Sequence, residues 1–201
     1  MRRTESTEKS GQPNIPTIDE LSGELRREKY RSRYRKVFRS TLYALIIVSA
    51  VSVLIATLLL PVLQIYGKSM NPTLYEGDIV VSVKSGTFSR GDIIAFYFNN
   101  SVLVKRIIGC PGDVITIDED GNVYVNNSLL KEDYISEKSY GSSSNIEYPY
   151  EVPENSYFVL GDNRDISVDS RDERIGCVEQ SEIVGKIVFR VWPLKSFGGI
   201  K

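Results

Sequence analysis

The chain has 201 residues, with 25 Lys and Arg against 26 Asp and Glu, two Cys, one Trp and no His. Without histidine a Ser-His-Asp triad, a Cys-His dyad and an HExxH zinc site are excluded, and two cysteines leave too few ligands for a structural zinc site. Any general base must be Lys, Asp, Glu or Tyr.

The near-neutral charge averages two unlike parts. Residues 1–40 hold 11 basic and 6 acidic side chains, net +5, and the other 161 hold 14 and 20, net −6. Residues 1–22 mix Ser, Thr, Glu, Pro and Gly with little apolar content and read as a disordered tail. Residues 23–39 are basic and could lie as a helix on an anionic leaflet. From Ser40 to Gly67 run 28 uncharged residues, centred on Leu42–Leu60. A bilayer core takes about 20 apolar residues as a helix, so residues 40–64 are expected to span it. A cleaved signal peptide would have a shorter basic start and a shorter apolar run, and a buried soluble helix would show a polar face. Neither fits.

Arg26, Arg27, Lys29, Arg31, Arg33, Arg35, Lys36 and Arg39 crowd one flank, and only Lys68 lies close on the other. The positive-inside bias therefore puts the N-terminus in the cytoplasm and the C-terminal part outside, in a single-pass plasma-membrane protein. The basic stretch is not continued beyond position 40, so no nucleic-acid partner is expected. The expected organisation is a tail over 1–39, a transmembrane helix over 40–64 and an extracytoplasmic domain over 65–201.

That domain reads as strands. Asp78–Val83, Asp92–Asn99, Val102–Ile108, Val114–Ile117, Val123–Val125, Tyr157–Leu160 and Lys186–Val191 are short β-rich runs between turn residues. Asn99-Asn100-Ser101 and the run from Asp118 to Asn122 mark hairpin turns. The fold class is mostly antiparallel β with one N-terminal transmembrane helix. Short helical turns are expected near Asn71–Leu74 and Glu179–Ile183. Glu132–Pro153, polar with Gly-Ser-Ser-Ser inside, reads as a long surface loop. Cys110 and Cys177 sit in apolar contexts that suit small buried hydrophobes, although a disulfide between them stays open.

Four segments carry potential chemistry: Gly67–Leu74 (GKSMNPTL), Gly77-Asp78, Lys105–Asp113 (KRIIGCPGD) and Gly161–Arg171 (GDNRDISVDSR). Ser69 lies in a tight turn, as an ordinary turn serine also would. Lys105 interrupts an apolar strand, and strand alternation sends it and Arg106 to opposite faces, so one of the two points inward or along a cleft. A buried lysine loses solvation and titrates low enough to act as a base, whereas a strand-edge lysine stays charged. The charges of the fourth segment could simply form a salt-bridged loop. A serine nucleophile with a lysine base is the hydroxyl-based hydrolase design that this composition readily allows.

Taken together and in this order behind one membrane helix, the segments resemble the motif boxes of bacterial type I signal peptidases, in their compact Gram-positive form. The likeness covers roughly residues 40–195. It implies a membrane-bound serine endopeptidase that removes signal peptides from exported preproteins, cuts after small residues of the Ala-x-Ala type and needs no metal or other cofactor. By that resemblance Ser69 is the nucleophile, Lys105 the general base and Ser167 a hydroxyl that hydrogen-bonds and orients the Lys105 amine. Arg106, Asp162, Arg164, Asp169 and Arg171 would form ion pairs that hold the two segments together. Many members place an oxyanion-hole serine where this chain has Gly67, so that hydroxyl donor is missing here. Met70, Leu74, Leu103 and Val104 would line substrate pockets. The implied partners are preproteins, the lipid bilayer and the secretion translocon. A related self-cleaving repressor would carry a DNA-binding domain in place of the membrane helix. A membrane-anchored β module that binds a partner without catalysis is the remaining alternative.

Overall fold

The computed structural model describes residues 18–59, 61–84, 86–141 and 144–200, and of residues 20 and 55–59 the backbone alone. The chain divides into two units, 1–53 and 54–201. In the first, one continuous helix, α1, begins at Ile18 and runs to Leu59 across the division. Its 42 residues give a rod of about 63 Å at 1.5 Å per residue. The stretch Leu21–Leu54 is long and apolar enough to cross a membrane. Two expected boundaries are corrected here. Residues 18–22, assigned to a disordered tail, are helical: the sequence puts two acidic residues, 19 and 20, in the first turn, where the helix dipole favours them, and the next proline after Pro16 is Pro61. Residues 1–17 of that tail lie outside the described residues. The helix ends at Leu59 and not at residue 64, since Pro61 cannot continue it and Val62–Gln64 pairs as a strand.

The second unit is β structure, with strands β1 Val62–Gln64, β2 Ile79–Val83, β3 Ile93–Phe98, β4 Ser101–Gly109, β5 Val114–Ile117, β6 Val123–Val125, β7 Ser128–Leu129, β8 Tyr150–Glu151, β9 Ser156–Leu160, β10 Val178–Glu179, β11 Ile183–Trp192 and β12 Gly198–Gly199. All pairings are antiparallel among the described residues. The larger sheet has the order β1-β2-β11-β3-β4-β9-β10, with β12 on β11, and the smaller has β7-β6-β5-β8. Every expected strand is present, with its ends placed to within three residues and those of β5 and β6 placed without offset. The Asn99-Asn100 and Asn126-Asn127 pairs both adopt left-handed backbone, the geometry of two-residue hairpin turns. A short 3-10 turn forms at Gln180–Glu182, and at Asn71–Leu74 the Leu74 N–H donates to the Met70 carbonyl at 2.8 Å, closing a single helical turn that does not extend into a helix.

Three apolar clusters hold the unit. Ile65, Met70, Leu74, Val80, Ile93, Ala95 and Ile187 pack beneath the segment that carries Ser69. Ile94, Phe96, Ile107 and Val159 form a second cluster around Phe88 and Tyr157. The third joins the sheets through Ile108, Ile115, Phe158 and Leu160. Cys110 packs against the second cluster and Cys177 against the third, and both are free thiols. Burial pushes the Cys177 thiol up to about 11, so it behaves as a small apolar group near neutrality. Trp192 is half exposed at the end of β11.

Candidate active site

Strand β4 carries Lys105. Its neighbours are β3 and β9, with Lys105 opposite Ile94 and Arg106 opposite both Ile93 and Leu160. Successive residues of a strand face opposite ways, and the two cations separate accordingly. Lys105 reaches Ser69, and Arg106 reaches Asp162, Gly91 and Thr73. Lys105 is 3% exposed and its Nζ lies 2.8 Å from Ser69 Oγ, to which it donates. Desolvation lowers the Lys105 ammonium from 10.5 to about 8, opposed by the carboxylate of Asp169, aided by Arg171 and opposed by Asp162.

Those two carboxylates would hold the ammonium charged if they stood alone. Each is paired instead. Asp162 accepts from Arg106 Nε and Nη2 at 2.9 and 2.7 Å, and Asp169 accepts from Arg171 Nε and Nη2 at 2.8 and 3.0 Å. The buried arginines offset the charge of the acids nearest the amine, and burial is the largest influence on Lys105.

Ser69 is fixed through its backbone. Its carbonyl accepts from Asn163 N at 3.0 Å, directly after the Gly161-Asp162 turn that follows β9. Gly161 is required here. A Cβ on it would overlap Ser167 Oγ and come within 2.6 Å of the Ser69 carbonyl oxygen. The Ser69 N–H donates to no acceptor among the described residues. Gly67 adopts φ +81°, with nothing within 4 Å of where a Cβ would stand. A serine there would have room but a strained backbone.

Several expected roles change. Ser167 is buried against Gly161, but its Oγ makes no hydrogen bond among the described residues, so the expected bond to the Lys105 amine is absent. The amine points at Ser69 while the Ser167 hydroxyl fills the space left by the missing Cβ of Gly161. Arg164 belongs to no pair within the motif segments. Its guanidinium binds Glu132, and its Nε donates to the Gly161 carbonyl at 3.0 Å. Asp78, from the Gly77-Asp78 segment, accepts from Tyr75 N at 3.0 Å and pairs with Arg190 at the base of the Ser69 segment.

Two concavities flank Ser69 and Lys105. One of about 480 Å³ is lined by Lys68, Phe98, Leu103, Ile166, Val168 and Ile175, with Gly67, Ser69 and Lys105 on its wall. The other, about 80 Å³, lies among Ile65, Tyr66, Met70, Leu103 and Val104 beside the same Ser69 and Lys105. Of the four residues expected at substrate pockets, Met70, Leu103 and Val104 line these concavities. Leu74 does not: it is a core residue of the cluster beneath Ser69. Phe98 and Ile175 lie outside the four motif segments, and Ile166 and Val168 are two apolar residues among the charges of the fourth, so no sequence pattern marks the four as one pocket wall. Among the described residues no three of His, Cys, Asp and Glu are grouped as a metal site.

Residues 36–192 match the family described as Signal peptidase, peptidase S26. Signal peptidase IB of Staphylococcus aureus (strain COL) is 36% identical over 152 residues, covering 66% of this chain and 78% of that protein. Signal peptidase I of Bacillus licheniformis is 35% identical over 162 residues, covering 75% of this chain and 86% of that protein. A crystal structure of a signal peptidase I from Enterococcus faecalis V583 is 36% identical, covers 50% of this chain and 96% of that chain, and superposes with a TM-score of 0.42.

Proposed function

The chain belongs to the signal peptidase family, peptidase S26, and on that premise we propose that it cleaves preproteins through an acyl-enzyme formed on Ser69 with neutral Lys105 as the base. A membrane-anchored serine peptidase acting on signal-peptide-bearing preproteins follows from the family itself. The finer reading is carried by one observation, the 2.8 Å separation of a serine hydroxyl from an almost fully buried lysine amine.

In this reading the Lys105 lone pair takes the Ser69 proton as Oγ attacks the scissile carbonyl carbon. The resulting oxyanion is met by the Ser69 N–H, with no hydroxyl from Gly67 to share the charge. The Lys105 ammonium then protonates the leaving amine as the C–N bond breaks, which frees the mature N-terminus. Water enters, Lys105 removes its proton, and attack on the ester releases the signal peptide and restores Ser69. With the amine near 8, about a tenth of the molecules hold a neutral base at pH 7. A module that only bound a partner would have no use for an amine whose burial costs about 3 kcal/mol.

The basic flank Arg26–Arg39 supports a cytoplasmic N-terminus, with the peptidase unit outside, where exported preproteins emerge. The bilayer and the secretion translocon are then its working partners.

The smaller concavity supports cleavage after small residues. It lies beside Ser69 and is bounded in part by the buried side chains of Ile65 and Met70, and we assign it to the residue before the cut, for which the family likeness implies a small side chain. Detergent-solubilised protein given paired preproteins, Ala or Leu immediately before the cut, is expected to lose about 100-fold or more in kcat/KM on the leucine substrate. Equal cleavage of both would overturn this assignment of the pocket.

A further inference from the structure

The polar stretch after β7 reads as a surface loop in the sequence, yet its side chains and carbonyls are gripped by three arginines of the motif segments. Arg164 binds the Glu132 carboxylate with two nitrogens, Nη1 at 3.1 Å to Oε2 and Nη2 to Oε1, with the two side chains only 1% and 3% exposed. Tyr134 OH donates to the same carboxylate at 2.9 Å. The Tyr134 ring lies under the Arg106 guanidinium, 4.1 Å from carbon to ring centroid. Arg171 Nη1 donates to the carbonyls of Ser139 and Tyr140, both at 3.1 Å.

Two of these arginines lead straight to the reacting groups. Arg106 follows Lys105 in β4 and is clamped to Asp162. Arg164 donates to the carbonyl of Gly161, which packs against Ser167 Oγ and the Ser69 carbonyl. Glu132 and Tyr134 therefore close a ring of contacts: Arg106, Tyr134, Glu132, Arg164, the Gly161-Asp162 turn, and Arg106 again. One side of the ring carries the base and the other fixes the backbone of the nucleophile.

We propose that Glu132 and Tyr134, from outside the four motif segments, are positioning residues that tie the Lys105–Arg106 strand to the Gly161–Arg164 turn and so fix the spacing of Ser69 and Lys105. The inference rests on the Ser69–Lys105 reading. Neither residue touches the reacting atoms, so each acts through an arginine. A buried carboxylate that accepts from both an arginine and a phenol is satisfied in one arrangement, which makes the ring stiff. A misplacement of about 1 Å at a reacting pair costs on the order of 100-fold in rate. Neither of the two concavities that Lys105 lines is lined by Glu132 or Tyr134.

The test compares kcat, KM and melting temperature for the full-length protein and its Tyr134→Phe, Glu132→Gln and Glu132→Asp variants, with a preprotein substrate. Tyr134→Phe, which removes one hydroxyl and keeps the ring, is expected to lower kcat about tenfold. Glu132→Gln is expected to lower it about 100-fold, and Glu132→Asp, which restores the charge, to recover about tenfold of that loss. KM is expected to stay within about twofold throughout. Wild-type kcat in Tyr134→Phe, or equal kcat in the Gln and Asp variants, overturns the proposal, as does a rise in KM that accounts for the loss. If Glu132→Gln does not fold, Tyr134→Phe alone decides. Ser69→Ala measured alongside keeps the two readings apart: activity persisting there refutes the dyad, whereas an inactive Ser69→Ala beside an unaffected Tyr134→Phe refutes only the positioning role.

Discussion

Lys105→Met is expected to abolish preprotein cleavage and, at the same time, to make the protein more stable near pH 7. The first effect follows from the loss of the only amine within reach of Ser69 among the described residues, at 2.8 Å. Without a base the serine hydroxyl is a poor nucleophile, and removal of such a partner costs on the order of 10⁴-fold or more. The second effect follows from the titration. The native amine titrates near 8 against 10.5 when solvated, because burial disfavours its charge. Between those two values the unfolded chain binds a proton that the native chain does not, so the wild-type protein gains stability as pH rises through this window. Below about pH 8 it carries the whole burial penalty, about 3 kcal/mol. Methionine has similar length and no charge to bury. After allowance for the lost hydrogen bond to Ser69, a net gain of about 2 kcal/mol remains, or several degrees in melting temperature. Thermal scans of both proteins from pH 6 to pH 11 check this. The advantage of the methionine variant is expected to be largest at low pH and to shrink above pH 8.

Ser69→Ala is the second large effect, and its expected signature is different. Cleavage falls by on the order of 10⁴-fold or more, since no other hydroxyl among the described residues is hydrogen-bonded to Lys105. The fold is expected to survive, because the backbone bond from Asn163 N to the residue 69 carbonyl does not depend on the side chain. The pockets keep every wall residue except the hydroxyl. The variant should therefore bind an uncleaved preprotein with wild-type affinity and hold it. A pull-down with the alanine variant, followed by mass measurement of the bound preprotein, checks this. A processed product in that fraction would place the nucleophile elsewhere.

The parts of the molecule that were legible in the sequence are those where local chemistry and final structure agree. The long strands β2, β3, β4, β9 and β11 alternate or carry continuous β-branched runs between turn residues, so their periods were visible. The opposite orientations of Lys105 and Arg106 follow from alternation alone, and the structure sends them to Ser69 and Asp162. The strand β1 was hidden because Val62–Gln64 continues the apolar run of the helix with only Pro61 between. Strands β7, β8, β10 and β12 are two residues each, too short to show a period.

The site was legible as residue types in order and not as a network. Glu132 looked like one more charge on a polar loop, and its partner Arg164 lies 32 positions away. Nothing local distinguishes a carboxylate that will be sealed under an arginine from one that will face water. Leu74 and Met70 sit four positions apart and both belong to the core cluster beneath Ser69, and only the packing brings Met70 to a pocket wall as well. Ser167 was expected to address the amine directly. Its place against Gly161 depends on a backbone approach that no sequence pattern displays.

The account stands on an amine that is uncharged when it meets Ser69. The most direct measurement is an NMR titration of the Lys105 side chain in the solubilised protein, with its signal assigned by its disappearance in Lys105→Met. A midpoint near pH 8 is the expected result, and the acid limb of kcat/KM should share it. An amine that stays protonated to above pH 10, while the protein still cleaves preproteins at pH 7, would contradict the account.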